Sequence, residues 1–283
     1  MLLPCRIETL TRELLSATAT EARKRGALVR LHCLQGNGEL LELDTRHGKR
    51  PLELLREAGL LDARLLVVHG IFVGGYSGGH HVEYSGEIEE LVKHGVTVVH
   101  CPMTSASDAA ALETFDRYRD AGVNIALGSD SFPPDLIRAM DYGNNLAKVL
   151  THDQSAGSPS NYFRAATLGG AAALGRDDLG RLAVGARANI TVVDMSRLRS
   201  GVLDDPIRGL LMNASGGSVT NVFVTGRHVV VDGWVPGVDE HDFKRRALAH
   251  YTRMKQAYSE RDYRRRPTSD LFPPSFRRPT AHT

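Results

Sequence analysis

Three histidines and one aspartate each follow a short apolar run, at similar intervals along the first half of the chain. These four side chains belong to His32, His69, His100 and Asp130. Imidazole nitrogens and carboxylate oxygens are the ligands of many catalytic zinc sites, which typically use three protein ligands and keep one position for water. Such a metal lowers the pKa of its water to about 7, so that hydroxide is available at neutral pH. The sequence therefore predicts a hydrolytic metal site.

The apolar runs before these residues read as buried strands, and segments with helical apolar spacing alternate with them. The predicted strands are 27–32, 65–69, 96–100 and 123–127, and the predicted helices are 7–25, 52–58, 87–93, 112–120, 136–150 and 162–174. Such alternation indicates βαβ units and a parallel sheet. In a barrel of such units the carboxyl ends of the strands meet at one mouth. A single histidine is more often a packed or surface residue, but four successive strand ends favour a site.

Three further segments lie close to these strand ends. Gln35 follows His32 in the loop, and its amide can donate or accept a hydrogen bond to a substrate but cannot carry a proton. The residues 36–50 are rich in glycine and charge and are predicted to form a loop. The segments 70–84 and 103–110 are predicted to line the substrate pocket.

The cysteines are predicted to have no part in the chemistry. There are three of them, Cys5, Cys33 and Cys101, with no C-x-x-C spacing. This usage suits a reducing cytoplasm and argues against a thiolate zinc site. Cys33 and Cys101 directly follow histidines that are expected to point inward, so strand alternation predicts that both thiols turn away and serve packing.

The character of the chain changes after residue 178. A strand at 189–194 and a hairpin at 219–231 predict a small β module, and 240–258 predicts an amphipathic helix. We therefore predict three parts: an α/β part over 1–178, a small β domain over 179–238, and a C-terminal helix with a basic tail over 239–283.

Composition excludes several classes of partner. The chain has 283 residues, 42% hydrophobic content and a net charge of +2, which gives no sign of a nucleic-acid partner. The basic runs 244–246 and 264–266 are interpreted as a solvated helix face and a tail. The sequence shows no apolar run of membrane-spanning length, and the first four residues are too short for a signal peptide. We predict a cytoplasmic protein with a small-molecule substrate.

Taken together, the motifs resemble the amidohydrolase superfamily, in the branch of triazine chlorohydrolases and of guanine, cytosine and methylthioadenosine deaminases. The likeness is carried by the runs 31–35, 68–70, 87–91, 99–102, 127–130, 167–175 and 180–189. The resemblance implies the C-terminal half of a metal-dependent (β/α)8 TIM barrel with a small β-sandwich module.

The resemblance also implies a role for each candidate residue. His32 matches a metal ligand, and His69 matches a histidine that faces the metal and its water or substrate. Asp130 matches a residue that is both metal contact and proton acceptor, and it is implied to be catalytic together with His69. His100 and Gln35 are implied to contact the substrate. The cofactor would be one divalent metal ion, zinc for preference, with iron and manganese as alternatives.

The implied reaction is hydrolysis of a non-peptide carbon–nitrogen bond, or of a carbon–halogen bond, through a metal-bound hydroxide. The substrate would be a small cyclic compound or an amide. Two features depart from the family: the chain has no His-x-His pair, since His80 and His81 are adjacent, and Gln35 stands where deaminases have Glu. The alternative is a truncated, catalytically inactive relative that only binds a partner chain or ligand. A nucleotide-binding protein is disfavoured, because no strand precedes G-x-G-x-x-G or a P-loop.

Length leads to a further expectation. A complete (β/α)8 barrel takes about 250 residues, whereas the sequence predicts four strands before the β module. A half barrel exposes two strand edges unless they are covered. We therefore expect a homo-oligomer or a complementary barrel half.

Overall fold

The computed structural model describes residues 1–74, 76, 86–112, 115–130, 134–196, 200–202 and 204–276. His80 and His81 lie outside the described residues. The chain divides into two compact units, residues 1–233 and residues 234–283. The domain boundaries at residues 178 and 238 stay a prediction.

Four parallel strands form the main sheet of the first unit. In sheet order they are β1 (Val29–Cys33), β2 (Leu65–His69), β3 (Thr97–His100) and β4 (Asn124–Leu127). Each strand pairs with the next one along the chain, and all three pairs are parallel. This sequential order is that of a (β/α) barrel wall. The predicted α/β class is confirmed.

Helices connect and follow the strands. They are α1 (Arg12–Arg25), α2 (Asn37–His47), α3 (Pro51–Glu57), α4 (Glu87–Lys93), α5 (Pro102–Ser107), α6 (Phe115–Ala121), α7 (Leu136–Thr151), α8 (Pro159–Arg164), α9 (Gly170–Ala173) and α10 (Pro206–Asn213). A 3₁₀ turn, Ile7–Thr9, precedes α1, and a π-helical segment, Ala165–Gly169, joins α8 to α9.

The helix α2 corrects one expectation, because 36–50 was predicted as a loop. Gly36 is the N-cap of α2, and Gly48 ends it in the left-handed conformation, with φ of 62°. Glycine is favoured at both ends of a helix. The glycines therefore delimit a helix here, and Leu43 anchors it in the core.

The two faces of the main sheet bury different residues. The larger core includes Leu31, Val67 and Val98 together with residues of the helices. The opposite face carries a small cluster that includes Leu66, Val99 and Ala126. Alternate residues of each strand therefore point to the helices or to the inner face, as the pleat requires.

Both outer strands of the sheet contact segments that the sequence did not predict to lie there. The segment 2–6 runs parallel to β1, with hydrogen bonds from Leu2 N to Leu28 O (2.8 Å) and from Arg30 N to Leu2 O (3.0 Å). The π-helical segment lies against β4, the outer strand at the other side of the sheet, and Asn124 Nδ2 donates to Gly169 O (3.0 Å).

The small β module is one antiparallel sheet. Its strands are β5 (Ile190–Val193), β6 (Val219–Val224) and β7 (Arg227–Val230), in that order. The predicted small antiparallel sheet is confirmed, and it lies in the same compact unit as the main sheet.

The second unit is helical. It contains α11 (Glu240–Arg261) and α12 (Thr268–Leu271), joined by an edge-to-face contact between Tyr258 and Phe272. Across the described residues of the chain, no helix has the length and apolarity needed to cross a membrane.

Candidate active site

His69 and Asp130 meet at the carboxyl end of the main sheet. His69 Nε2 lies 3.7 Å from Asp130 Oδ2. Both residues have a left-handed backbone, with φ of 77° at His69 and 52° at Asp130. Non-glycine residues adopt this region only at a cost, and such residues concentrate at functional sites. The structure thus brings together two of the predicted site residues, and it does so with strained backbone.

The imidazole of His69 is buried and makes no hydrogen bond to any residue that the structure describes. Its side chain is 1% exposed, and neither Nδ1 nor Nε2 has a hydrogen-bond partner among the described residues. Burial lowers the pKa of His69 to about 4, although Asp130 acts in the opposite direction. The ring is therefore neutral at physiological pH, which is the form that ligates metals. Buried polar atoms are nearly always partnered, so an absent ligand fits this ring.

His32 lies beside His69, and a hydrogen bond at Nδ1 orients its ring. The two ring centroids are 5.4 Å apart. Nδ1 of His32 lies 2.9 Å from the carbonyl oxygen of Cys5, in the segment that pairs with β1. Since a carbonyl only accepts, Nδ1 is the donor, and in the neutral ring the lone pair is on Nε2. Metal-ligating histidines are commonly oriented by such a bond to a backbone carbonyl, so His32 also fits a metal site.

Cys101 belongs to the same cluster, contrary to expectation. The ligand atoms of His69, Cys101 and Asp130 all lie within 4.8 Å of one another. The predicted direction of Cys101 is wrong because the phase of β3 is the opposite of the one assumed. A Cβ atom built on Gly128 would lie 3.0 Å from Cys101 Sγ and 3.1 Å from Val99 Cγ1. Cys101 therefore shares the inner face with Val99, whereas Cys33 is a core residue as predicted.

His100 lies on the helix side of the sheet. Its ring packs against Phe115 and Tyr162, at centroid distances of 6.1 and 6.0 Å, and both aromatic residues belong to the larger core. Burial lowers the pKa of His100 to about 3. The structure does not bring His100 into the cluster of His69 and Asp130, and its contact with substrate stays a prediction.

Gln35 and Glu39 lie at the end of β1. The side-chain oxygen of Gln35 is buried without a hydrogen-bond partner in the described part of the chain. The carboxylate of Glu39 accepts hydrogen bonds from Leu34 N (2.5 Å) and Gln35 N (3.0 Å). Burial raises the pKa of Glu39 to about 7. Glu39 was missed by the sequence analysis because it lies in the unpredicted helix α2.

A cleft of about 490 Å³ opens beside Gln35. Its lining includes Arg6, Gln35, Glu39, Phe72, Tyr76 and Asp108–Ala110. Of the segments predicted to line the substrate pocket, Phe72 and Tyr76 from 70–84 and Asp108–Ala110 from 103–110 line this cleft, and its binding of substrate stays a prediction. The rings of Phe72 and Tyr76, with centroids 4.5 Å apart, give this cleft an aromatic wall.

A buried ion pair holds the loop that follows His69. Arg50 donates to both carboxylate oxygens of Glu87, at 2.8 Å each, and to the carbonyl of Phe72 at 2.9 Å. Glu87 Oε2 also accepts from Gly74 N at 2.6 Å. The Glu87 side chain is 1% exposed. These bonds fix the start of the loop beside the site.

Parallel strands with histidine and aspartate at their carboxyl ends are typical of barrel enzymes with a metal centre. A model of the amidohydrolase family matches residues 8–229. The chain belongs to the amidohydrolase family, and the predicted resemblance is confirmed.

Two curated relatives show the extent of the match. A 5-methylthioadenosine/S-adenosylhomocysteine deaminase of Pyrococcus abyssi is 29% identical over 224 residues, which cover 78% of this chain and 50% of that protein. The protein of the same description in Halobacterium salinarum is 31% identical over 237 residues, covering 82% of this chain and 51% of that protein. The chain spans about half the length of the curated relatives it matches.

Solved structures agree with the fold. An adenosine deaminase from Xanthomonas campestris with bound zinc superposes with a TM-score of 0.82 at 27% identity, covering 90% of this chain and 57% of that one. The zinc complex of an atrazine chlorohydrolase from Arthrobacter aurescens gives a TM-score of 0.75 at 23% identity, covering 88% and 54%. The second likeness concerns the fold alone.

Proposed function

We propose that this chain is a metal-dependent hydrolase that cleaves a carbon–nitrogen or carbon–halogen bond of a small ring compound. The observation that carries the proposal is the buried, unpartnered imidazole of His69 beside Asp130 in an amidohydrolase fold. Buried polar groups usually have partners; among the described histidines His69 lacks a hydrogen bond at both ring nitrogens and His100 at Nδ1, and His69 is the one with a carboxylate and a thiol nearby.

The metal would be held by His32, His69 and Asp130. The donor set of two imidazoles and a carboxylate suits zinc, which two solved neighbours contain. When bound, such a metal polarises a substrate and lowers the pKa of water at neutral pH. The bond from His32 to Cys5 O orients one ligand in advance, and burial keeps His69 unprotonated.

The chain's own residues divide the remaining work. Asp130 has a carboxylate within 3.7 Å of His69 Nε2 and would accept the proton of the attacking water. Gln35 would orient the substrate by hydrogen bonding, since an amide cannot transfer a proton. His100 is predicted to contact the substrate. Because its ring lies on the helix side of the sheet, substitution of His100 is needed to test this role.

The relatives suggest the substrate class. By their names they deaminate 5-methylthioadenosine, S-adenosylhomocysteine or adenosine, and a structural neighbour acts on atrazine. These compounds share a flat nitrogen heterocycle with an exchangeable substituent. The aromatic wall of Phe72 and Tyr76 suits such a ring. We infer a heterocycle that loses an amine or a halide.

We also infer a homo-oligomer or a complementary barrel half that completes the sheet, supplied by another chain or by further residues of a longer protein. The support is the sequential order of four parallel strands in a chain that spans about half of its relatives. Sedimentation analysis is expected to show an oligomer. A clean monomer with cooperative unfolding would contradict the inference.

The activity is tested with the full chain loaded with zinc. Ammonia release from adenosine, 5'-deoxyadenosine and methylthioadenosine, and chloride release from atrazine, are the readouts. Turnover that disappears in Asp130→Asn and His69→Ala is expected. Stoichiometric metal without turnover on any of these compounds would refute the catalytic proposal and favour the binding alternative.

A further inference from the structure

We propose that Cys101 is a metal ligand, so that His69, Cys101 and Asp130 form a nitrogen–sulfur–oxygen set in this chain. The proposal rests on the metal dependence proposed above and adds a ligand to the same ion. The three ligand atoms lie within 4.8 Å of one another. Zinc bonds of about 2.0–2.3 Å place two tetrahedral ligands roughly 3.3–3.8 Å apart. For a nitrogen and an oxygen ligand the spacing is roughly 3.3–3.5 Å, and the 3.7 Å between His69 Nε2 and Asp130 Oδ2 is slightly longer, so a small side-chain rotation would bring both atoms to one ion.

The second support is independent of the cysteine. His69 is 1% exposed, and both of its ring nitrogens lack hydrogen-bond partners among the described residues. One of these nitrogens takes part in the cluster with Cys101 and Asp130. A buried ring of this kind indicates a ligand in the space that the three groups share.

The position of Cys101 also favours coordination. Its sulfur contacts Gly128 and lies on the inner face of the sheet, because a Cβ on Gly128 would approach it to 3.0 Å. Its partner among the described residues is the carbonyl of Val99, at 3.8 Å, which is a weak bond. Little is therefore lost when the sulfur turns to a metal.

Coordination requires a defined change at the thiol. The S–H bond breaks, the proton passes to solvent, and the sulfur forms a bond to the metal. Without a metal, burial and Asp130 raise the pKa of Cys101 to about 12. A divalent cation reverses this preference, since a coordinating thiol is deprotonated outright.

Cobalt substitution tests the ligand directly. The full chain, freed of metal, is titrated with Co²⁺ and followed by absorption, because a cobalt–thiolate bond gives a near-ultraviolet charge-transfer band. We expect one cobalt per chain with this band. The band should disappear in Cys101→Ser while cobalt still binds. It should persist in Cys33→Ala and in Cys5→Ser, which remove one buried and one exposed thiol.

A measurement on the unaltered chain guards against misfolding of the variant. X-ray absorption of the zinc-loaded protein should show one sulfur neighbour at about 2.3 Å with nitrogen or oxygen neighbours at about 2.0–2.1 Å. Bound zinc with nitrogen and oxygen neighbours alone would overturn the role of Cys101 and leave the proposed function standing. A chain that binds neither zinc nor cobalt would overturn both.

Discussion

At the scale of residues, burial rather than sequence neighbours decides which groups can do chemistry. The two buried histidines at the carboxyl end of the sheet, His69 and His100, both have lowered pKa values, so both rings are neutral near pH 7. Only His69 has a carboxylate and a thiol within reach. The same property would serve the proposed ligation in His69, whereas in His100 it accompanies packing against Phe115 and Tyr162.

Acid should destabilise the chain through His100. Its folded pKa is about 3, below the usual 6.5, so the unfolded chain binds more protons between these values. Stability is full above pH 6.5 and falls as pH falls toward 3. Between pH 6.5 and pH 4 the loss is about 3 kcal/mol, at about 1.4 kcal/mol per pKa unit. Urea unfolding measured at several pH values in this range gives the slope of the unfolding free energy against pH.

The His100→Gln variant isolates this contribution. Glu39 acts in the opposite direction, since its raised pKa adds stability at low pH that is lost as pH rises through about 7. That effect is common to both proteins and cancels in the comparison. The variant should show a shallower acid loss than the parent chain. Equal slopes in the two proteins would contradict the assignment.

At the scale of elements, the site depends on how helices and loops hold the strand ends. Three residues near the strand ends have left-handed backbone. Leu34 directly follows β1, His69 is the last residue of β2, and Asp130 lies beyond β4. Such conformations persist only where surrounding contacts enforce them. After β2, that enforcement comes from Tyr118, whose hydroxyl donates to Gly70 O at 2.5 Å, and from the ion pair of Arg50 and Glu87.

Removing the charge of Glu87 should release this loop. The Glu87→Gln variant leaves Arg50 without its buried counter-charge, which costs about 3–5 kcal/mol of unfolding free energy. Glu90→Gln is the matched control on the same helix, because its partner Arg56 is half exposed. The control should change stability by less than about 1 kcal/mol. Denaturant unfolding measures the unfolding free energy of each variant. Equal losses in both variants would refute a special role for Glu87.

Gly169 should tolerate no side chain. A Cβ atom there would fall well inside van der Waals contact of the main-chain oxygen of Ile125 in β4, whereas one on Gly170 meets open space. Gly169→Ala is expected to lower the unfolding free energy by about 1–3 kcal/mol through overpacking. Gly170→Ala, in a helix, should raise it by about 0.5–1 kcal/mol. Thermal unfolding of both variants checks the contrast, and a stable Gly169→Ala would contradict the close packing.

The sequence predicted the elements better than their faces. Apolar runs ending in His69 and Asp130 located β2, β4 and two residues of the cluster. The phase of β3 was not predictable, because Val98 and Val99 are equally apolar, so His100 and Cys101 were assigned to each other's sides. The pairing of residues 2–6 with β1 was also missed, because so short a segment has no period of its own.

At the scale of the whole molecule, the chain forms part of an amidohydrolase barrel, with the proposed metal ligands at the carboxyl end of its sheet. The sheet order, the family match over residues 8–229 and the coverage of about half of each relative describe the same portion of that fold. The His-x-His pair of the family has no counterpart in this sequence. The proposed activity therefore depends on whether the candidate ligands at this end of the sheet bind a metal.

The metal content of the purified full chain tests this claim most directly. We expect about one zinc per chain after loading and dialysis, lost in His69→Ala and Asp130→Ala. It should be retained in His94→Ala, which removes a histidine that pairs with Asp62 at the amino end of β3. A folded chain that retains no zinc, or one whose zinc survives both site substitutions, would contradict the account.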